Sequence, residues 1–237
     1  MFHGAYSLPM PSTIEGAQDG RRAAVAVRRR QREREILDAT RQLFDERGVS
    51  EAQIEDIAKA VGIDRAIVYR HFIGKEGLIA LTLVGYLDEL RDRLGPLAPQ
   101  NGAPDGRLTA IAAALLGHRV GDPALAHCAL PLMRRRGDEL FDELSEAALL
   151  RLGKAMTGCL SALSDVIEEG TQKGLFHAQD PHLLANMMYA SGLGALQIAR
   201  VGLLVKEVSP GVPVIGSVTP DQVRDYLTTS MLAHARS

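Results

Sequence analysis

The chain has 237 residues, 46% of them hydrophobic but only 4% aromatic, with no Trp and a formal net charge of −2. That length supports one or two domains with a real core, and a core so short of aromatics must be filled by Leu, Ala, Val and Ile, which suits helices. Two cysteines without C-x-x-C spacing exclude a disulfide framework, no stretch approaches the roughly 20 apolar residues of a membrane span, and the opening MFHGAYSLPMPST has neither the basic segment nor the apolar run of a signal peptide, so a cytoplasmic location is expected.

Residues 1–20 are rich in Gly, Pro and small polar residues and read as a disordered leader. A basic arm follows, with seven Arg between 21 and 34, and residues 1–29 are assigned to leader and arm together. Residues 21–76 carry 13 Lys/Arg against 10 Asp/Glu, whereas residues 77–237 carry 14 against 17. A basic amino-terminal block on a mildly acidic body points to a polyanion partner at one end, with a plain solvated charge run as the alternative.

The first predicted helix covers 30–47, on the helical spacing of Ile36, Leu37, Thr40, Leu43 and Phe44, with Gly48 as its stop. SEAQ at 50–53 matches a capping box ahead of a helix over 53–60, which Gly62 ends. Asp64 is an N-cap for a third helix over 65–71, with Val68 and Phe72 turned inward and Ile67 ambiguous. A fourth helix runs over 75–93, stopped by Gly95 and Pro96. Residues 30–76 form the first domain and 77–237 the second.

In the second domain a helix is predicted from Asp105 to about 119, and another to about 136 that Pro131 kinks or divides. The longest periodic segment runs from Asp138 to about Lys173 as one spine, with Phe141, Leu144, Ala148, Leu152, Ala155 and Cys159 along one face. Asp180 and Pro181 open a helix over 181–203 that is apolar nearly all round and dense in small residues, so it must be buried on most sides. Residues 205–218, including VPVIG, read as a Pro/Gly loop. TPDQ at 219–222 is a capping box for a last helix over 220–235. The fold class is all-α, with nine helices and no strand.

The two short helices joined through Gly62 form a helix-turn-helix arrangement, whose second helix suits the DNA major groove. Arg65 offers a bidentate pair to guanine; Ala66 and Ile67 suit thymine methyl groups; Tyr69, Arg70, His71 and Lys75 reach phosphates or bases. The string IEDIAKAVGIDRAIVYRHF followed by GKEGLIAL resembles the amino-terminal DNA-binding domain of the TetR family of transcriptional regulators over residues 33–80. The resemblance implies that Arg65, Ala66, Ile67 and Tyr69 face the groove, that Arg70 sits at its edge, and that Tyr69, His71 and Lys75 meet phosphates. Ala52 and Gln53 stand where the family often has Thr or Ser, which puts a hydroxyl–phosphate contact there in doubt.

The resemblance also implies a homodimer through the last two helices, for which Met187, Ala190, Ser191, Gly194, Ala195, Val223, Tyr226, Leu227 and Ser230 are the candidate contacts. It implies a pocket for a small-molecule effector in the second domain, with Leu83, Leu115, His118, His127, Cys128, Met133, Leu152, Met156 and Leu160 as candidate lining; plain core is the competing reading for each. The function expected is a ligand-responsive regulator, repressing by the family default, on a palindromic operator; an activator or an effector-independent DNA-binding protein stays open. An enzyme is not expected, since no nucleophile elbow, zincin motif, P-loop or dinucleotide fingerprint is present. No catalytic residue, metal site or cofactor is assigned.

Overall fold

The computed structural model describes residues 13–97, 102–116 and 124–237, of which 13–19, 116 and 124 are described in backbone only. The described residues form ten α-helices and one β-hairpin. The amino-terminal part holds α1 (Thr13–Arg47), α2 (Ile54–Val61), α3 (Arg65–His71) and α4 (Gly74–Leu94), which a 3-10 turn over Gly95–Leu97 ends. Then come α5 (Pro104–Leu116), α6 (Ala124–Met133), α7 (Gly137–Glu143), α8 (Glu146–Gln172) and α9 (Pro181–Val201). Strands β1 (Leu203–Ser209) and β2 (Val212–Ser217) pair antiparallel before α10 (Pro220–Arg236).

Helices α1, α2 and α3 close over Ile36, Phe44, Ile57 and Val68, each almost wholly buried. Each such side chain is worth about 1.5–3 kcal/mol relative to exposure. Ala52 and Ala58 are buried where the backbones approach. Thr40 is the polar member of this core, and its hydroxyl donates to the carbonyl of Ile36 at 2.7 Å. In the body, α8 packs on α4, α5 and α9, and α10 packs on α5 and α9. The ion pair of buried Arg107 with Glu169 joins α5 to α8, and Arg236 with Asp105 joins α10 to α5.

Four expectations are corrected. Residues 13–20 belong to α1 rather than to a leader, and the basic arm runs on as part of the same helix; residues 1–12 lie outside the described residues. The capping box of α2 is one of Gln53 with Asp56, not SEAQ: Gln53 is the N-cap, and its N–H donates to the Asp56 carboxylate at 3.3 Å. The single spine breaks at Leu144, which is extended and buried, and Ser145 restarts the helix by accepting from the N–H of Ala148 at 3.2 Å. The spine is therefore α8 alone, about 40 Å at ~1.5 Å per residue, and Phe141, left on the short α7, is 72% exposed. Residues 203–217 pair as a hairpin rather than a loop. Gly211 makes the turn at φ 78°, and its N–H donates to Glu207 at 2.6 Å. Pro213 is tolerated because both strands of a two-stranded sheet are edges.

The exit of α8 depends on one close approach. Phe176 is buried against Gly170, where an added Cβ would lie 2.1 Å from the ring. Gly170→Ala is expected to lose about 1–3 kcal/mol of stability by overpacking, whereas Gly153→Ala on the exposed side of the same helix, with open space at its Cβ, is expected to gain up to about 1 kcal/mol. Chemical denaturation of the two variants checks the pair; equal effects contradict the packing account.

Candidate nucleic-acid interface

The presentation of α3 follows from three local devices. Gly62 takes the left-handed conformation at φ 70° and ends α2. Asp64 then caps α3, accepting from the N–H of Ala66 at 2.7 Å. Val68 and Phe72 hold the inner side of α3 in the core. With those two turned in, Arg65, Ala66, Tyr69 and Arg70 lie together on the exposed side. A seven-residue helix is too short to be stable alone, so this face exists only because the packing behind it does.

Ile67 is half-buried, which makes packing part of its role. Arg65 donates to Glu55 at 2.8 Å, with both side chains mostly in solvent. The carboxyl of Glu55 is held below the ordinary range by a bond within its own residue first and by Arg65 second. An exposed pair of this kind is weak, so the guanidinium exchanges readily for a stronger anion. Lys75 donates to the carbonyl of Ser50 at 3.3 Å, tying the start of α4 to the α1–α2 turn. His71 is half-buried, and its Nδ1 is buried without a hydrogen-bond partner. Burial first, then the nearby Arg29, holds its pKa below 6.5, against an opposite pull from Glu33. His71 is thus a neutral imidazole at pH 7, and the helical basic arm passes close to the end of α3.

The expected effector lining is divided between the core and its edge. Leu83 and Cys128 are buried in the core, Leu115, Leu152, Met156 and Leu160 pack half-buried against it, and Met133 is 52% exposed. His118 lies outside the described residues. His127 alone of these lines a described cleft, which lies between the α1–α2 turn and helices α6 and α9. The sequence reading missed Tyr189, whose hydroxyl is buried without a hydrogen-bond partner, with burial first and Cys159 second raising its pKa. No local pattern marks such a residue, because its orphaned oxygen depends on what packs around it. The Cys159 thiol donates to the carbonyl of Leu87 and is pushed up to about 11 by burial, so it is inert.

Of the expected dimer contacts, Met187, Ser191, Gly194 and Tyr226 are exposed, and Ala190 and Ser230 are half-buried. Ala195, Val223 and Leu227 are buried within one chain and so also belong to its core. Leu183, Ile198 and Val201 belong to the same exposed stripe of α9 and were not expected. Among the described residues, no group of His, Cys, Asp and Glu is arranged to hold a metal, and no helix is long and apolar enough to cross a membrane.

Residues 36–81 match the model of bacterial regulatory proteins of the tetR family. The chain is 27% identical to the HTH-type transcriptional repressor KstR2 of Rhodococcus jostii, over 93% of this chain and 94% of that one. It is 37% identical to the HTH-type transcriptional regulator BetI of Escherichia coli, over 34% of this chain and 42% of that one. The transcriptional regulator FadR of Bacillus subtilis, solved in complex with stearoyl-CoA, shares the fold at a TM-score of 0.59 and 16% identity, covering 85% of this chain and 98% of that one.

The lowered pKa of His71 fixes a pH dependence. The folded state binds the proton more weakly than the unfolded state, so the contribution to stability is complete above 6.5 and is lost as pH falls through and below it. An NMR titration of the His71 ring is expected to show a midpoint below 6.5; a midpoint at or above that value contradicts the assigned environment.

Proposed function

We propose that this chain is a regulator of the TetR family, whose model matches residues 36–81, and that it is a repressor that binds a palindromic operator as a homodimer and is released or repositioned by a small-molecule effector. The observation that carries the DNA half is the face of α3. Arg65, Ala66, Tyr69 and Arg70 share its exposed side, while Val68 and Phe72 lock the other into the core. That is the geometry of a helix laid into a major groove, with the cap end carrying the base-reading guanidinium. Tyr69 and Lys75 then serve as phosphate contacts. His71 serves as a neutral N–H donor rather than as a cation, which its environment supports. The acidic body and the compact face disfavour a non-specific architectural binder.

The dimer half rests on exposed apolar surface. Leu183, Met187, Ser191, Gly194 and Ile198 follow helical spacing along α9, and Tyr226 on α10 is 78% exposed. The hairpin adds Val205 opposite Ile215, both exposed on one face. A two-stranded hairpin with an uncovered apolar face is marginal in water, and a second copy of the chain would cover it together with the helical stripe. Two-fold symmetry then sets the operator's palindrome. For the effector, Tyr189 supports a polar contact in the body, because a bound acceptor would satisfy its buried hydroxyl. KstR2 is a repressor, and repression is carried over with the fold.

Arg65→Ala is expected to lose about 1–3 kcal/mol of discrimination at one base pair of each half-site, whereas Lys75→Ala weakens all duplexes alike and lowers the salt slope by about 1. Binding isotherms on a set of single-base operator variants at two salt concentrations separate the two. If Arg65→Ala weakens every duplex equally, α3 is not the reading helix. Gly194→Asp, which adds a charge to the exposed stripe, is expected to give a folded monomer by analytical ultracentrifugation; an undisturbed dimer places the interface elsewhere.

A further inference from the structure

The cleft between the reading head and the body is lined on one side by Arg47, Gly48 and Ser50 at the end of α1 and its turn, and on the other by His127 and Arg134 near α6 and by Gln197 and Arg200 of α9. It encloses about 330 Å³. Three arginines and a histidine line it, and no acidic residue does. Arg47 approaches a carboxylate outside the cleft, that of Asp56, at 3.8 Å. Within the cleft itself Arg134 and Arg200 have no acid beside them to offset their like charges.

The histidine adds a second, independent sign. Arg200 contacts His127 through Nε2. An arginine has only donors, so Nε2 accepts and the ring proton sits on Nδ1. That Nδ1 is buried without a hydrogen-bond partner, and it faces the turn at Gly48, where an added Cβ would lie 4.0 Å away. Burial first, and Arg200 second, holds the ring below its ordinary pKa, which keeps it a neutral donor. A buried donor with no acceptor costs about 1–3 kcal/mol, and an anion between the two walls would supply the acceptor.

We propose that this cleft is a binding site for a small anion carrying a phosphate or carboxylate group, held by Arg134 and Arg200 from the body and by Arg47 and the Ser50 hydroxyl from the head. The planar guanidinium forks suit the oxygens of either group. The volume is at the small end of ligand sites, which suits a low-mass anion. Because the two walls belong to different parts of the molecule, an anion that bridges them favours one orientation of the head over others. Its differential affinity for those orientations becomes a change in DNA affinity. The coupling rests on the regulator reading above; the binding does not.

Inorganic pyrophosphate is the probe, titrated into the full chain at constant ionic strength against sodium chloride. Calorimetry and the ring resonances of His127 are expected to report saturable binding, weakened at least tenfold in Arg134→Gln/Arg200→Gln. Arg134→Gln alone, at an exposed position, covers the case in which the double variant does not fold, and it is expected to weaken binding at least threefold. Equal binding by Arg134→Gln, or shifts that chloride reproduces, overturns the site. A duplex selected in vitro for this protein supplies the second arm. If pyrophosphate lowers the duplex affinity without reaching a plateau, the two compete for one place, the occupant is the DNA backbone and the free-anion proposal fails; a plateau is the coupling of two sites. If pyrophosphate binds but leaves the duplex affinity unchanged within a factor of two, the coupling is wrong while the site stands. Failure to select any duplex sinks the regulator reading and leaves the pyrophosphate result readable.

Discussion

Helix α4 is the constraint on which the rest depends, because it is the one element that belongs to both parts of the molecule. Its first turn is tied to the reading head through Lys75 and Ser50, and Leu78 and Leu87 along it are fully buried. At its middle, Tyr86 donates to Asp45 of α1 at 2.7 Å, and Arg41 lies 4.3 Å over the Tyr86 ring while pairing with Glu89. Burial first, and Asp45 second, raises the pKa of the Tyr86 hydroxyl, so it stays a neutral donor at every ordinary pH. Moving the head relative to α4 breaks this cluster, and stranding one of its polar groups costs about 1–3 kcal/mol. The orientation of α3 is thus set by contacts made several turns away from it.

That arrangement gives an effector something to act on. Among the described residues, the head meets the body at α4, at α6 beneath the α1–α2 turn, and at the Glu33–Arg151 pair that links α1 to the spine. Each is a discrete contact with a bonded and a broken state, which is the requirement for switching rather than continuous bending. The cleft at the α1–α2 turn lies among these contacts, and Tyr189 lies deeper, in the body. Binding at either place acts on α3 through these contacts.

How much of this was legible in the sequence differs by element. The reading head was, because its signals are local: Asp64 as cap, Gly62 as stop, and Val68 and Phe72 at helical spacing are chemistry within ten residues. The caps at Asp180 and Thr219 were legible for the same reason. The spine misled because the apolar period runs on through Leu144 and Ala148 although Ser145 restarts the helix between them; periodicity does not register a cap that preserves phase. The hairpin was hidden by its two Pro and two Gly, which read as loop although Val205 and Ile215 are strand formers in register. The leader was read too far along the chain, because the Gly and small polar residues before Arg21 read as loop although α1 already begins at Thr13. The site in the body was the least legible part. Whether Leu83 or Cys128 lines a cavity or fills a core is decided by helices distant in sequence, and the same holds for the burial of Ala195, Val223 and Leu227.

The central claim is that this chain reads DNA sequence through α3. Competition binding at physiological salt, between a two-fold symmetric duplex recovered by in vitro selection and a random duplex of equal length, tests it most directly. The account predicts a preference for the symmetric duplex of about 10³-fold or more, with a stoichiometry of two chains per duplex. Equal affinity for both duplexes contradicts it.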